Sequence, residues 1–175
     1  DEPITPVLAD ALGVTIADPA VATITVRHLL AHTSGYGTYD TTFFRGGVDS
    51  CTEAAQRGLT DSVSTPPGTA YHYSNMNFCM LGLLIEHVTG EDYEDVVHDR
   101  LLEPLGIEGM RLAGTFDPRP GEVQHPTSPF RNYMETLGAA GAWVASAEDV
   151  VRIVDALDPE KDIWHPLPAD ARRAM

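Results

Sequence analysis

Tyr73 and Asn75 stand on either side of Ser74 in the stretch TPPGTAYHYSNMNFCMLGLLIEHVTG, residues 65–90. The phenol can relay a proton, and the carboxamide can donate to a carbonyl while accepting from an ammonium. If the pair is catalytic, it needs a nucleophile beside it. The competing reading is structural: Ser74 or Asn75 caps the helix that follows, and the Tyr73 ring packs against the core. Taken alone, these residues favour the structural reading.

Other chemistry-bearing residues are weaker. His28 and His32 are four apart, a spacing that places two imidazoles on one helix face and can bind metal in H-E-x-x-H. Leu29 takes the place of the glutamate and no third ligand is evident, so a structural pair is expected and no metal. Ser34 lies in HTSGYG, but His32 occupies the first Gly position of a G-x-S-x-G elbow. A turn in which Thr33 or Ser34 caps backbone groups is the better reading. Asp40 lies near His32 in sequence, which says nothing about triad geometry.

These side chains must be positioned by helices. Residues 4–12 can form a short one. Thr25 is a plausible N-cap for VRHLLAHTSG, with Gly35 as its stop. Asp49 or Ser50 opens a helix with Glu53 in capping-box position, and Gly58 is expected to end it. The helix after Tyr73 carries Phe78, Leu81, Leu84, Ile85 and Val88 at spacings of three and four, and Gly90 stops it. Met80 and Leu83 widen that stripe, so burial on most sides is expected. Glu91, Asp92, Glu94 and Asp95 favour the positive end of the next helix, which Pro104 and Gly106 close. Residues 107–137 read as irregular, with some strand around MRLAG, and GAAGAWVAS as a small-residue turn. Ser146 caps a helix with Val150, Val151, Ile153, Val154 and Leu157 on its apolar side, and a short last helix can start at Pro168. The expectation is a single, mainly α domain over residues 1–175, with five or six helices, long loops and little strand.

Composition narrows the function classes. With 26 acidic residues against 11 basic ones the net charge is -15, which argues against nucleic acid and against anionic membrane surfaces. No run approaches the ~18 apolar residues of a membrane span. Cys51 and Cys79 are either two buried thiols or one disulfide. Nothing in the sequence implies a cofactor. The chain opens with Asp, without a leader pattern, and reads as a mature product or an excised piece.

ITVRHLLAHTSG, then PPGTAYHYSNMNFCMLGLLIEHVTG, LLEPLGIEGM and GAAGAWVASAEDVVRIVDAL together resemble the serine β-lactamase-related family. That family unites class C β-lactamases, penicillin-binding D-Ala-D-Ala peptidases and related esterases. The resemblance covers about residues 20–157 and implies a fold with an α/β part and an inserted helical part, the active site lying between them. It implies a Ser-x-x-Lys nucleophile motif, a Tyr-x-Asn motif, and a Lys-Thr-Gly or His-x-Gly motif on a strand. YSN matches the second, so Tyr73 carries over as the catalytic tyrosine and Asn75 as its substrate-binding partner. A phenol of ordinary pKa, about 10, needs an adjacent ammonium to act as a base at neutral pH.

The other two motifs are absent. The single lysine, Lys161, has Asp158 three residues before it and Asp162 after it. The resemblance therefore implies the helical part of a longer serine hydrolase, inactive alone, whose partner is the α/β part of the same parent. The parent's implied substrates are small molecules: β-lactams, D-Ala-D-Ala peptides or esters. The alternative is a non-catalytic, penicillin-binding-like interaction module. The family also makes an extracytoplasmic location (periplasmic, cell-wall or secreted) and a Cys51–Cys79 disulfide more plausible.

Overall fold

The computed structural model describes residues 2–124, 131–161 and 163–173. Nine α-helices lie among them: α1 Thr5–Ala11, α2 Val26–Leu30, α3 Asp40–Phe44, α4 Cys51–Thr60, α5 Asn75–Thr89, α6 Tyr93–Val97, α7 Tyr133–Leu137, α8 Ala147–Leu157 and α9 Ala169–Arg173. The helices beyond the expected five or six include α3 and α7, five residues each, in stretches the sequence presents as loop. So short a helix is marginal by itself and depends on tertiary packing, which leaves no long periodic pattern to read. Among the described residues the one sheet has two strands of two residues, β1 Arg111–Leu112 antiparallel to β2 Trp143–Val144. The β2 strand replaces part of the small-residue turn expected at GAAGAWVAS.

Caps act largely where their residue types place them. Thr25 Oγ1 accepts from the His28 amide, Ser50 Oγ from the Glu53 amide, and Ser146 Oγ from the Asp149 amide. Gly90 closes α5 in the left-handed conformation, at φ 73°. Gly58 does not stop α4, which runs on to Thr60. It is a packing glycine: a Cβ there would come within 2.8 Å of the buried Met76 Sδ on α5. Gly35 likewise lies beyond the end of α2 at Leu30.

The core gathers around α5. Leu8 of α1, Ile24, Leu29 of α2, Phe43 of α3, and Ala54, Ala55 and Leu59 of α4 pack with Met76, Cys79 and Met80. The buried side of α5 is thus the Met76–Cys79–Met80 stripe. The predicted stripe of Phe78, Leu81, Leu84 and Ile85 is only half-buried, and Val88 is exposed. Because α5 is apolar nearly all round, spacing cannot say which side faces inward. The half-buried side joins Val26 and Leu30 in an apolar groove of about 340 Å³. α8 tells a similar story. Its predicted apolar residues Val150, Val151 and Val154 are 48%, 58% and 58% exposed, and only Ala156 is buried.

Side-chain bonds hold the stretch that lacks periodicity. Arg111 grips both carboxylate oxygens of Glu122 at 2.7 Å, and Glu135 accepts from the amide and hydroxyl of Thr115. That pairing holds the Glu122 carboxyl down at about 2. Gly82 of α5 faces the 138–140 turn so closely that a Cβ would meet Ala139 Cβ at 2.5 Å. An alanine would gain about 1 kcal/mol of helix propensity there, but overpacking costs ~1–3 kcal/mol, so glycine fits best.

Cys51 at the start of α4 and Cys79 on α5 are joined as a disulfide, with Cα atoms 5.6 Å apart. The bond closes a loop across 28 positions, for which chain entropy gives about 3–4 kcal/mol of stabilisation. Unreduced, denatured protein is expected to show no free thiol in a thiol count. Reduction is expected to lower the urea midpoint without changing the far-ultraviolet dichroism of the native state.

Candidate active site

Two segments build the site. The first is the turn after α2, residues 31–36, where His32 takes a left-handed conformation at φ 53°. That conformation is uncommon for residues other than glycine, and histidine is among those enriched in it. It turns the imidazole toward the second segment, residues 71–77, which enters α5. Backbone bonds tie the two: the His72 amide donates to the His32 carbonyl at 2.8 Å, and the Gly68 amide to the Thr33 carbonyl at 2.7 Å.

The side chains complete the seam. His32 Nδ1 accepts from the Ser74 amide at 3.2 Å and lies 3.0 Å from Asn77 Nδ2. A backbone N–H can only donate, so Nδ1 carries no proton and the neutral ring is protonated on Nε2. The Asn77 amide is thereby oriented too: Nδ2 donates to His32, and Oδ1 accepts from Ser34 Oγ at 2.6 Å. Ser34 Oγ in turn accepts from the Tyr36 amide. The rings of Tyr73, Phe78 and Tyr71 surround the imidazole, with centroids 4.7, 5.3 and 5.8 Å away. Ser34, Ser74 and Asn77 are fully buried, and the Ser74 hydroxyl has no hydrogen-bond partner among the described residues.

The candidate pair sits on this seam. Asn75 is buried at the first position of α5, and Tyr73 is 55% exposed just before it. The Tyr73 hydroxyl donates to Asn75 Oδ1 at 3.0 Å. With Oδ1 taken, Asn75 has the two Nδ2 protons to offer a ligand. Ser74 stands at the N-cap but makes no side-chain cap bond, so the capping role expected of Ser74 or Asn75 is not filled.

Both residues line a pocket of about 300 Å³, with Thr38, Asp40, Phe44, Leu137, Ala140 and Gly141. Asp40 is the one ionisable group besides Tyr73 in that lining. The loop bearing Thr38 and Asp40 is anchored by Tyr36, fully buried, and by Tyr39, whose hydroxyl donates to Asp61 Oδ2 at 3.1 Å. Burial pushes both phenols well above the ordinary tyrosine range, and Asp61 adds to the effect on Tyr39. They are anchors, not acids.

The weaker candidates fall into place. His28 turns away from His32: its Nδ1 accepts from the Thr25 amide and closes the capping box of α2. Ser34 is buried in the seam and faces no solvent. Among the described residues no group of three His, Cys, Asp or Glu is disposed to hold a metal ion. Lys161 sits on the surface, 3.4 Å from Asp155. Sequence reading missed Asn77, and the pocket wall from α3, α7 and the 138–141 turn. Asn77 carried one signal, a polar residue inside an otherwise apolar helix.

The segment entering α5 presents Tyr73 and Asn75 at an open pocket, and the helical body, with almost no sheet among the described residues, fits the helical part of a β-lactamase/transpeptidase-like fold. The beta-lactamase family model matches residues 1–174, and the chain belongs to that family. It is 30% identical to penicillin-binding protein 4 of Amycolatopsis lactamdurans over 164 residues, 83% of this chain and 41% of that protein. It superposes on SurE bound to D-Leu with a TM-score of 0.69 at 31% identity, covering 100% of this chain and 39% of SurE. Against the D-amino acid amidase of Ochrobactrum anthropi SV3 the TM-score is 0.67 at 26% identity, covering 94% of this chain and 50% of the amidase. The chain thus spans half or less of the length of each of these three relatives.

Replacing Asn77 by leucine removes a donor and an acceptor at once and leaves His32 Nδ1 and the Ser34 hydroxyl short of a partner. The expected loss is about 2–4 kcal/mol, since each orphaned buried group costs ~1–3 kcal/mol. Urea denaturation of the wild type and the variant measures it.

Proposed function

We propose that this chain is the helical half of a serine hydrolase that acts by acyl transfer. In this reading Tyr73 relays the proton of the nucleophile, and Asn75 holds the substrate carbonyl through Nδ2. The nucleophilic serine and its lysine, in Ser-x-x-Lys, belong to the α/β part of the same parent protein, as does the Lys-Thr-Gly or His-x-Gly strand. The observation that carries the reading is the Tyr73–Asn75 hydrogen bond at the wall of an open pocket. A phenol held 3.0 Å from its partner amide and exposed to solvent is placed to meet a group arriving from the facing half.

The substrate class is a small carbonyl compound with a leaving group: a β-lactam, a D-Ala-D-Ala peptide or an ester. Relatives that are penicillin-binding proteins and D-amino acid amidases support that range. The apolar groove of α2 and α5 and the exposed valines of α8 are the apolar surfaces on which the α/β part would pack. The disulfide suits an extracytoplasmic parent, where oxidising conditions preserve it. No cofactor enters the scheme.

In the full-length parent, Tyr73→Phe is expected to slow acylation about 10²–10⁴-fold while leaving the melting temperature in place. A near-normal rate would reduce Tyr73 to a packing residue. The chain alone is expected to take up no label from a penicillin or an activated ester. A parent without Ser-x-x-Lys upstream of this segment would sink the enzyme reading and leave a binding module.

A further inference from the structure

His32 is the one group whose protonation state the seam dictates. Its Nδ1 faces two donors, the Ser74 amide and Asn77 Nδ2, and both bonds require a lone pair there. Ser74 lies between the two residues assigned to the chemistry, and Asn77 is two positions beyond Asn75 on the same helix. We propose that His32 is the positioning residue of this site: its neutral, Nε2-protonated ring holds the Tyr73–Asn75 segment in register, and a proton on Nδ1 releases it. The proposal deepens the acyl-transfer reading and rests on it for its catalytic meaning, but its structural content stands on the seam alone.

The surroundings offer a protonated ring little compensation. From residues 71–73 it meets the Tyr71 and Tyr73 rings, and from α5 the neutral Asn77 and Phe78. On α2, a turn earlier, His28 directs its ring to Thr25 and Gly68. An imidazolium would gain attraction from the tyrosine faces. It would lose two hydrogen bonds and set a third N–H against two others, so the neutral form wins. In agreement, burial lowers the pKa of His32 below the ordinary histidine value of 6.5. The sign follows. A ring kept neutral by the fold contributes stability that is complete above about pH 6.5 and is lost as the pH falls from there to the lower folded value.

The left-handed conformation of His32 supplies the control. Asparagine tolerates that conformation, and its Oδ1 can stand where Nδ1 stands, accepting without titrating. His32→Asn therefore keeps the acceptor and removes the proton.

Long-range proton–nitrogen spectra of the chain test this directly. At neutral pH the His32 ring is expected as the Nε2–H tautomer. On acidification the Asn75 side-chain amide and Tyr73 ring signals are expected to shift with the His32 midpoint. In His32→Asn they should stay near their neutral-pH positions from pH 8 to pH 4. An Nδ1–H tautomer, or Tyr73 and Asn75 signals indifferent to the His32 titration, would overturn the proposal. Should the variant fail to fold, the wild-type titration decides by itself. In the full-length parent, acylation is expected to fall about tenfold per pH unit below that midpoint, and His32→Asn is expected to flatten this limb. Coupled signals in a parent that shows no acylation would refute the catalytic reading while leaving the positioning role intact.

Discussion

Two hydrogen bonds converging on His32 Nδ1 hold the Tyr73–Asn75 end of this chain together. They join a turn that follows α2 to the entry of α5, 42 and 45 positions along the chain. Both Tyr73 and Asn75 hang on that junction, and neither could keep its place if the two segments drifted apart. The left-handed backbone at His32 is the local cost of aiming the ring inward. Asn77 and Ser34 repay it by carrying the polar chain deeper, while among the described residues the Ser74 and Tyr36 hydroxyls stay buried without a partner.

Around that junction, α5 does two jobs that pull against each other. Its Met76–Cys79–Met80 side is sealed into the core and tied to α4 through Cys51. Its first turn also carries Asn75 at the pocket wall. The disulfide and the close approach at Gly58 and Gly82 fix the helix along its length, and with it the polar residues at its N-terminal end. The half-buried side of α5 and the exposed face of α8 leave apolar surface uncovered.

The candidate pair and most of the caps were legible in the sequence, and for definite reasons. Tyr-x-Asn at a helix start is a local pattern, and Thr25, Ser50 and Ser146 cap because capping involves residues three apart. The disulfide partners were the chain's two cysteines. The roles of His32 and Asn77 were not legible. The spacing of His28 and His32 suggested a shared face, but the helix ends at Leu30 and His32 lies in a turn that sends its ring elsewhere. Likewise α3 and α7, which line the pocket with Asp40, Phe44 and Leu137, are too short to leave a period.

By itself the sequence determined the family, the mainly helical character, the N-caps of α2, α4 and α8 and the candidate pair, because each is carried by residues close together along the chain. The tertiary structure alone decided which side of α5 is buried, where α4 ends, and which polar side chains meet beneath Tyr73. Those outcomes depend on contacts between segments dozens of residues apart. An apolar helix that could bury any face takes the one its neighbours fill, and a histidine becomes an acceptor only when a distant amide is brought to it.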